Sequence, residues 1–493
     1  MASIMINPVK TGEGRIFINP YNYGGASKFN FHNFMKIEGL DRTLGDIEPI
    51  YLPDPNRYDE FITNGYIKGS DSRWSSSLSS KLPIDTQSVL ETMANTGCEF
   101  TLQVHYGRCT KPDSFQDFES AIILKGVKLT SYGLSPLTAL NPGERALVDE
   151  TASITASEMY RVFSQKFITM TPQTSGRVLR IAPIDSKDCD NVCGRFKDGS
   201  KIWIALVDAT ENSFAITKDG GSNWEQVATG GIVHADPTWD SLLLVSSGRV
   251  YWSSSAVGPS TKIYSADLNE ILADDYAPTI TEVLTAGLFD PKGIVATDSY
   301  VYVVGQDETG FDGEVYRINK TSQTTELIYT NSMGITAVSN LNDDVSLIGT
   351  REGELYLSDI SGLYYFIGAI DGDDSEIYSL HMFDERRWVA SNQNGIYVTD
   401  DRGTSWSRTL SMSSINSTSD IFKMSWYDNL VGYVQIGNLI FRSIDAGSSW
   451  KKIYTGVSVD EAQSIVVNPN NPNLFFSVAN IDSNTSYVVK GYV

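Results

Sequence analysis

The sequence predicts an all-β protein in two parts. Residues 1–165 read as a β-sandwich or half-barrel with one helix, and residues 166–493 as a closed seven-bladed β-propeller. Three observations lead there. The pattern Ser/Thr-x-Asp-x-Gly-x-x-Trp occurs three times, at 217–224, 399–406 and 443–450. Its spacing is that of blades: 44 residues separate Thr399 from Ser443, and 182, close to four such periods, separate Thr217 from Thr399. Neither the pattern nor the period occurs before residue 165.

Each copy lies between two strand-like runs, which makes it a hairpin turn with a stated chemistry. In Thr217, Asp219, Gly221 and Trp224, in Thr399, Asp401, Gly403 and Trp406, and in Ser443, Asp445, Gly447 and Trp450, the roles repeat. The Asp carboxylate accepts backbone N–H groups inside the turn. The Gly supplies positive φ. The Trp lays an apolar face over the hairpin. These twelve residues are structural; no catalytic, cofactor-binding or metal-ligating residue is assigned.

A repeat of roughly 40–50 residues rich in strands is what four-stranded blades produce. The gap between the first and second copies should hold three blades whose pattern has decayed. In one, 358–365 keeps a Ser, a Gly and an aromatic, with its Asp one place early. Runs at 251–254 and 315–318 read as third strands, and 231–234, 293–296, 334–337 and 462–467 as blade starts. From about residue 176 to the end, roughly 45 residues per blade gives seven. The last blade is one strand short, and 166–170 is expected to complete it and leave the ring without a free end.

In the first part, strands are expected at 14–19, 66–70, 73–82, 98–106, 121–132 and 150–162. The clearest helix is 85–97, with Asp85 or Thr86 as N-cap, Val89, Leu90 and Met93 on one face, and Gly97 as terminator. Residues 39–65 read as a long loop, extended by Pro49, Pro53 and Pro55.

The net charge of −22 is uneven. Residues 1–165 hold 15 Lys+Arg and 19 Asp+Glu, and the remainder 23 and 41, so the propeller carries −18. Such a field repels nucleic acid and anionic membranes and favours solubility. The start of the chain lacks the apolar core of a signal peptide and no run is long enough to span a membrane, so synthesis in a cytoplasm is expected. Four cysteines form two local pairs, Cys98 with Cys109 and Cys189 with Cys193, without Cys-x-x-Cys, and there are only four histidines, so no zinc site is expected. The acidic loops 307–314 and 371–376 lack the twelve-residue calcium pattern and read as solvated turns.

The repeated pattern resembles the Asp-box, or BNR repeat, of sialidase-like and related propellers. That resemblance implies hairpins on the outer part of the blades, away from a central binding face. A sialidase-like hydrolase would also need an arginine cluster, a Tyr–Glu pair and an acid Asp. Here Arg180 opens an Arg-Ile-Ala-Pro run, one residue longer than that family's Arg-Ile-Pro, and Arg249, Arg317, Arg351, Arg386 and Arg387 lack its contexts. Residues 40–165 resemble the tail-tube proteins of long-tailed bacteriophages, in the helix after a Ser-rich strand, the 123–131 strand, the Pro-Gly loop at 141–145 and the final 150–157 strand. That resemblance implies a non-enzymatic virion structural protein, made in the host cytoplasm. It implies homo-oligomeric, hexameric rings stacked into a tube with DNA passing through the lumen, other tail proteins as partners, and the propeller as an outward decoration that meets a host-surface glycan. The 39–65 loop would then be an inter-ring contact. The alternative is a cell-surface carbohydrate-binding or sialidase-like propeller.

Overall fold

The structure, a computed structural model, describes residues 14–19, 30–32, 36–43, 47–53, 61–68, 73–83, 89–106, 118–135, 147–164, 166–170, 177–184, 202–208, 214–227, 241–255, 261–272, 278–285, 289–307, 312–359, 362–370, 374–415, 422–456, 461–480 and 486–492. The chain divides into two compact units, Met1–Ser164 and Gln165–Val493.

The first unit contains β1 (Gly14–Asn19), β2 (Asn30–His32), β3 (Lys36–Thr43), β4 (Ile47–Pro53), β5 (Phe61–Lys68), β6 (Arg73–Pro83), α1 (Val89–Thr96), β7 (Phe100–Tyr106), β8 (Ser120–Leu134), β9 (Leu147–Ala156) and β10 (Glu158–Phe163). It is one curled eight-stranded sheet, ordered β2-β1-β7-β8-β9-β6-β3 with β10 also on β8, and not two stacked sheets. The coil follows from β8, whose fifteen residues serve two sets of neighbours. Its first half pairs with β7 and β10, and its second half with β9. The single strand expected at 150–162 is bent at Ser157, because Gly126 opposite takes φ 58° and a Cβ there would lie 2.2 Å from Ser157 Oγ. Leu90 and Met93 of α1 bury against Phe100, Leu102, Leu124 and Ile154, and Gly97 ends the helix at φ 62° with its N–H on Met93 O at 2.9 Å. The N-cap expected at 85–86 lies outside the described residues.

Two features of this unit depart from the alternation pattern. The predicted loop 39–65 contains the end of β3 and a separate antiparallel ribbon, in which Pro49 pairs with Tyr66 and Pro53 with Phe61. A two-stranded ribbon is all edge, and an edge tolerates a residue without an N–H. The second feature is a hydroxyl ladder. Ser75, Ser77 and Ser79 of β6 face Thr155, Ser153 and Thr151 of β9, and Ser153 N–H donates to Ser131 Oγ at 3.3 Å. Ser77, Ser79, Ser131, Thr151 and Ser153 line, with Leu78 and Ala152, a hollow of about 220 Å³, and Leu78, Ala152 and Ile154 also belong to the core.

The second unit is a propeller of seven four-stranded sheets. The strand β11 (Lys166–Met170) precedes blade one, which comprises β12 (Arg177–Pro183), β13 (Trp203–Asp208), β14 (Phe214–Thr217) and β15 (Glu225–Val227). Blade two has β16 (Leu243–Ser246), β17 (Arg249–Ser255), β18 (Thr261–Asp267), a short helix α2 (Leu268–Leu272) and β19 (Thr281–Thr285). Blade three is β20 (Phe289–Ala296), β21 (Tyr300–Asp307), β22 (Gly313–Asn319) and β23 (Thr325–Asn331). Blade four is β24 (Ile335–Asn340), β25 (Ser346–Thr350), β26 (Glu354–Ser358) and β27 (Tyr364–Ala369). Blade five is β28 (Ser379–Met382), β29 (Trp388–Asn392), β30 (Gly395–Thr399) and β31 (Ser407–Ser411). Blade six is β32 (Phe422–Trp426), β33 (Gly432–Ile436), β34 (Leu439–Ser443) and β35 (Lys451–Thr455). Blade seven is β36 (Glu461–Asn468), β37 (Asn471–Asn480), β38 (Ser486–Tyr492) and, as its outer strand, β11, with Met170 opposite Val488. Each first strand touches the first strands on both sides, so the ring is closed.

The core of this unit is a ring of clusters, each shared by two neighbouring blades. Trp203 of blade one meets Phe476 of blade seven edge-on at 4.6 Å, and Trp252 of blade two meets Phe214 of blade one at 4.8 Å. Fully buried indoles in T-shaped contact combine large apolar area with favourable quadrupole geometry. In blades two to six the fourth strand carries one extra residue opposite an aliphatic–aromatic step of the third: Val283, Ile328, Ile367, Thr409 and Ile453. A bulge of this kind adds local twist to the outer strand. One strand assignment needs revision. Residues 251–254 belong to the second strand of blade two, not the third; the third is β18, and α2 follows it where the blades with the repeated pattern make their turn. That blade's first described strand is 243–246; 231–234 lies outside the described residues.

Candidate functional surface on the rim of the propeller

The three repeated turns join third to fourth strands and so lie on one rim. Their hydrogen bonds are the same. In blade one, Thr217 Oγ1 donates to Asp219 Oδ1 at 2.9 Å and accepts Gly221 N–H at 2.8 Å, and Asp219 Oδ1 accepts Asn223 N–H at 2.9 Å. In blade five the distances are 2.8, 3.0 and 2.8 Å, through Thr399, Gly403, Asp401 and Ser405. In blade six they are 2.8, 2.9 and 3.0 Å, through Ser443, Gly447, Asp445 and Ser449. The residue before each Trp adds a bond that the sequence reading missed: Asn223 Nδ2 at 2.7 Å, and Ser405 Oγ and Ser449 Oγ at 2.6 Å, donate to the second carboxylate oxygen. A donor side chain at that position in all three copies was the available signal.

Two consecutive residues, not one, take positive φ in each turn: Gly220 and Gly221, Arg402 and Gly403, Ala446 and Gly447. The residue before the Gly then hydrogen-bonds the first hairpin of its own blade, Arg402 N–H to Arg386 O and Ala446 N–H to Leu430 O, both at 3.0 Å. The Trp side chains also go further than their own hairpins. Trp224 joins the cluster around Phe476 of blade seven, Trp406 the cluster holding Leu347 and Leu355 of blade four, and Trp450 Nε1 donates to Thr409 Oγ1 of blade five at 3.2 Å. Each repeat thus fixes its hairpin and ties its blade to the preceding one.

The same bonds give the three carboxyls different electrostatics. Burial raises Asp219 and Asp401, but bonds from the turn outweigh it and hold both below the usual carboxylate range. At Asp445, only 6% exposed, burial dominates and the group is raised, although Ser449, Ser443 and the nearby Arg387 pull it back.

First-to-second hairpins on this rim carry a second repeat that the sequence reading did not find. Asn342, Asp384 and Asp428 each accept two backbone N–H groups through Oδ1, at 2.7–2.9 Å. Each follows an apolar residue, Leu341, Phe383 or Tyr427, at blade spacing, which is the signal that would have found them. Cross-blade latches complete the rim. Lys320 donates to Ser246 Oγ at 2.7 Å, Tyr302 OH to Asp343 O at 2.8 Å, and Lys490 to Gly220 O. Arg387 of blade five pairs with Asp400 and donates to Ala446 O (2.6 Å) and Ser448 Oγ (2.8 Å) of blade six. In the decayed blades, Asp359 Oδ1 accepts Leu363 N–H at 3.3 Å and Asn319 Oδ1 accepts Thr321 and Ser322 N–H at 2.9 Å, so the turn acceptor has moved one place earlier.

The arginines considered for carboxylate binding do not converge. Arg180 is buried in the first strand of blade one and donates to Leu179 O at 3.3 Å. Arg249 donates to Ser265 Oγ, Arg317 pairs with Glu326 over the Tyr300 ring, and Arg387 is a latch. Cys98 is an exposed free thiol; the other three cysteines, and residues 308–311 and 371–373 of the two acidic loops, lie outside the described residues. Among the described residues no group of His, Cys, Asp and Glu is placed to hold a metal ion, and no helix is long and apolar enough to cross a membrane.

No family model matches the chain, and no curated protein matches it. Solved structures similar to it are propellers of low identity. YCF48 bound to D1 peptide is 12% identical with a TM-score of 0.45, over 67% of this chain and 96% of that one. YCF48 from Cyanidioschyzon merolae is 11% identical at 0.44, over 66% and 98%. The WD40 β-propeller domain of Doa1 is 11% identical at 0.45, over 66% and 97%.

Proposed function

We propose that the protein is a non-enzymatic structural subunit in which the first unit builds a homo-oligomer and the propeller stands at its periphery. The observation that carries this reading is the open sheet of the first unit. Its path begins at β2 and ends at β3, and among the described residues these two strands and both strands of the β4–β5 ribbon are each paired on one side only. A curled sheet with two open edges can pair head to tail with copies of itself, and rotation closes such a contact into a ring. The charge split supports it: the unit near −4 packs against itself with little Coulomb cost, whereas the propeller at −18 repels its copies. Of structural proteins, the phage tail tube fits best, with rings stacked through the 47–68 ribbon. The hydroxyl ladder at the middle of β6 and β9, flanked by Lys81 opposite Asp149, would offer passing DNA little net charge. The propeller is then an outward interaction module, and its rim repeats hold it rigid.

Negative-stain imaging of the full chain at rising concentration tests the reading, with rings or tubes expected. Light scattering on 1–165 and 166–493 assigns the contact: assembly by the first and a monomer from the second. A monomeric full chain, or self-association of 166–493 alone, overturns the proposal.

A further inference from the structure

The outer strands of the seven blades are edges, and six of them carry charge. Glu225, Glu282, Glu326, Arg408, Lys451 with Lys452, and Lys166 lie on β15, β19, β23, β31, β35 and β11. Charge on an edge strand blocks the addition of a further strand. The exception is β27 of blade four, Tyr364–Ala369, which has no charged residue at all. Exposed apolar side chains also gather there. Leu363, Tyr365 and Phe366 are 69%, 47% and 56% exposed, and Leu327 on the neighbouring β23 is 46% exposed. The two strands are joined by Tyr364 against Tyr329, centroids 4.7 Å apart. Tyr365 and Phe366 are successive and so face opposite sides of the sheet, which makes both faces of this edge apolar.

Carboxylates are held beside the patch by a repeated device. Tyr356 OH donates to Glu354 Oε2 at 2.6 Å in blade four, as Tyr316 OH does to Glu314 Oε2 at 3.0 Å in blade three. The Tyr356 ring packs on Phe366 at 5.6 Å. Among the described residues neither Glu314 nor Glu354 pairs with a Lys or Arg. The surroundings deepen the field: residues 312–376 hold 12 Asp+Glu against 3 Lys+Arg. A second copy of this edge would bring the same excess of negative charge to face itself.

We propose that β27 is a docking edge for an extended, basic segment of another protein. The segment adds as a fifth strand to blade four, with backbone bonds to the edge that is unpaired among the described residues, apolar side chains on Tyr365, Phe366 and Leu327, and Lys or Arg beside Glu354 and Glu314. Strand addition of this kind takes affinity from the main chain and specificity from alternate side chains. The inference does not depend on the assembly proposed above.

The test uses the full chain and two short fluorescent peptides, one alternating Lys with Ile and Tyr, the other Glu in place of Lys. Binding is read by anisotropy and located by amide hydrogen exchange. The basic peptide is expected to bind, to protect amides of 364–369, and to weaken with salt, since Glu314 and Glu354 are only half-buried. Phe366→Lys and Glu354→Gln should each weaken it about tenfold or more, with the melting temperature unchanged because Phe366 is largely solvent-exposed. Ser407→Lys, on the outer edge of blade five, should leave binding unchanged. No binding of the basic peptide at millimolar concentration, equal binding of the acidic peptide, or protection elsewhere overturns the proposal. So does a dimer of the chain that Phe366→Lys abolishes, which would make a second copy the occupant.

Discussion

Replacing Arg387 by Met tests whether blades five and six are held by a latch or only by apolar packing. Arg387 is 2% exposed, and its guanidinium reaches Ala446 O at 2.6 Å and Ser448 Oγ at 2.8 Å across the blade boundary while pairing with Asp400. A methionine fills the space of the stem, so the loss is mainly that of two bonds from a charged donor, about 1.5–3 kcal/mol each. Two effects reduce the sum. Ser448 is half-buried and can turn to water, and the variant no longer desolvates a charge. A net loss of about 2–4 kcal/mol is expected. Arg387→Lys keeps the charge but not the fork, and should lose roughly half as much. Calorimetry of the full chain gives the size through the propeller transition. Hydrogen exchange gives the place, with faster exchange confined to 386–402 and 443–450. A loss under about 0.5 kcal/mol, below the value of a single net hydrogen bond, or exchange raised evenly in all blades, would refute the latch.

Three further outcomes are expected. Asp219 is lowered when folded, so its contribution is present above the ordinary carboxyl value of 3.8 and lost as pH falls through the folded value. Asp445 is raised, so its contribution declines as pH rises above 3.8; Asp445→Asn should therefore cost less at pH 7 than at pH 3, and Asp219→Asn the reverse, in thermal melts against pH. Trp450→Ala should cost about 3 kcal/mol or more, because the ring packs on Trp426 and bonds Thr409, whereas Asp445→Ala should cost about 1–2 kcal/mol; equal melting temperatures would contradict this. His381 stacks on Trp426, and burial holds its ring down at about 4, so stability should fall between pH 6.5 and 4, by at most about 3 kcal/mol, and His381→Gln should flatten that slope.

The repeated turns were legible because every fixed letter has a local job: hydroxyl, carboxylate, positive φ and indole act within eight residues. The destination of the indole was not legible, since the surface under Trp224 belongs to Phe476, some 250 residues away. Blades two to four were harder for a physical reason. Once Asp267, Asn319 or Asp359 caps the turn from one place earlier, the spacing of the pattern is broken, although Gly362 of blade four still takes φ 77°. The closing strand 166–170 was legible from its position before a blade that lacked one. The part of the ribbon before residue 66 reads as a loop because proline argues against a paired strand, and nothing local announces that the pair will be all edge.

The seam between β11 and β38 joins residues more than three hundred positions apart, and this sets an order of events during synthesis. The first unit leaves the ribosome while most of the propeller is still unmade, and until residue 492 emerges the seventh sheet lacks its third strand. In that interval β11 is an unclaimed strand beside a growing ring. If copies of the first unit gather early, their shared scaffold raises the local concentration of unclaimed strands, and β11 of one chain can be captured by β38 of its neighbour. Such an exchange preserves every hydrogen bond of the seam and tangles the subunits. If the proposed assembly forms, ring closure has to outrun oligomerisation, and slowing the seam, by a proline within β38 for instance, should yield cross-linked assemblies before it yields unfolded protein.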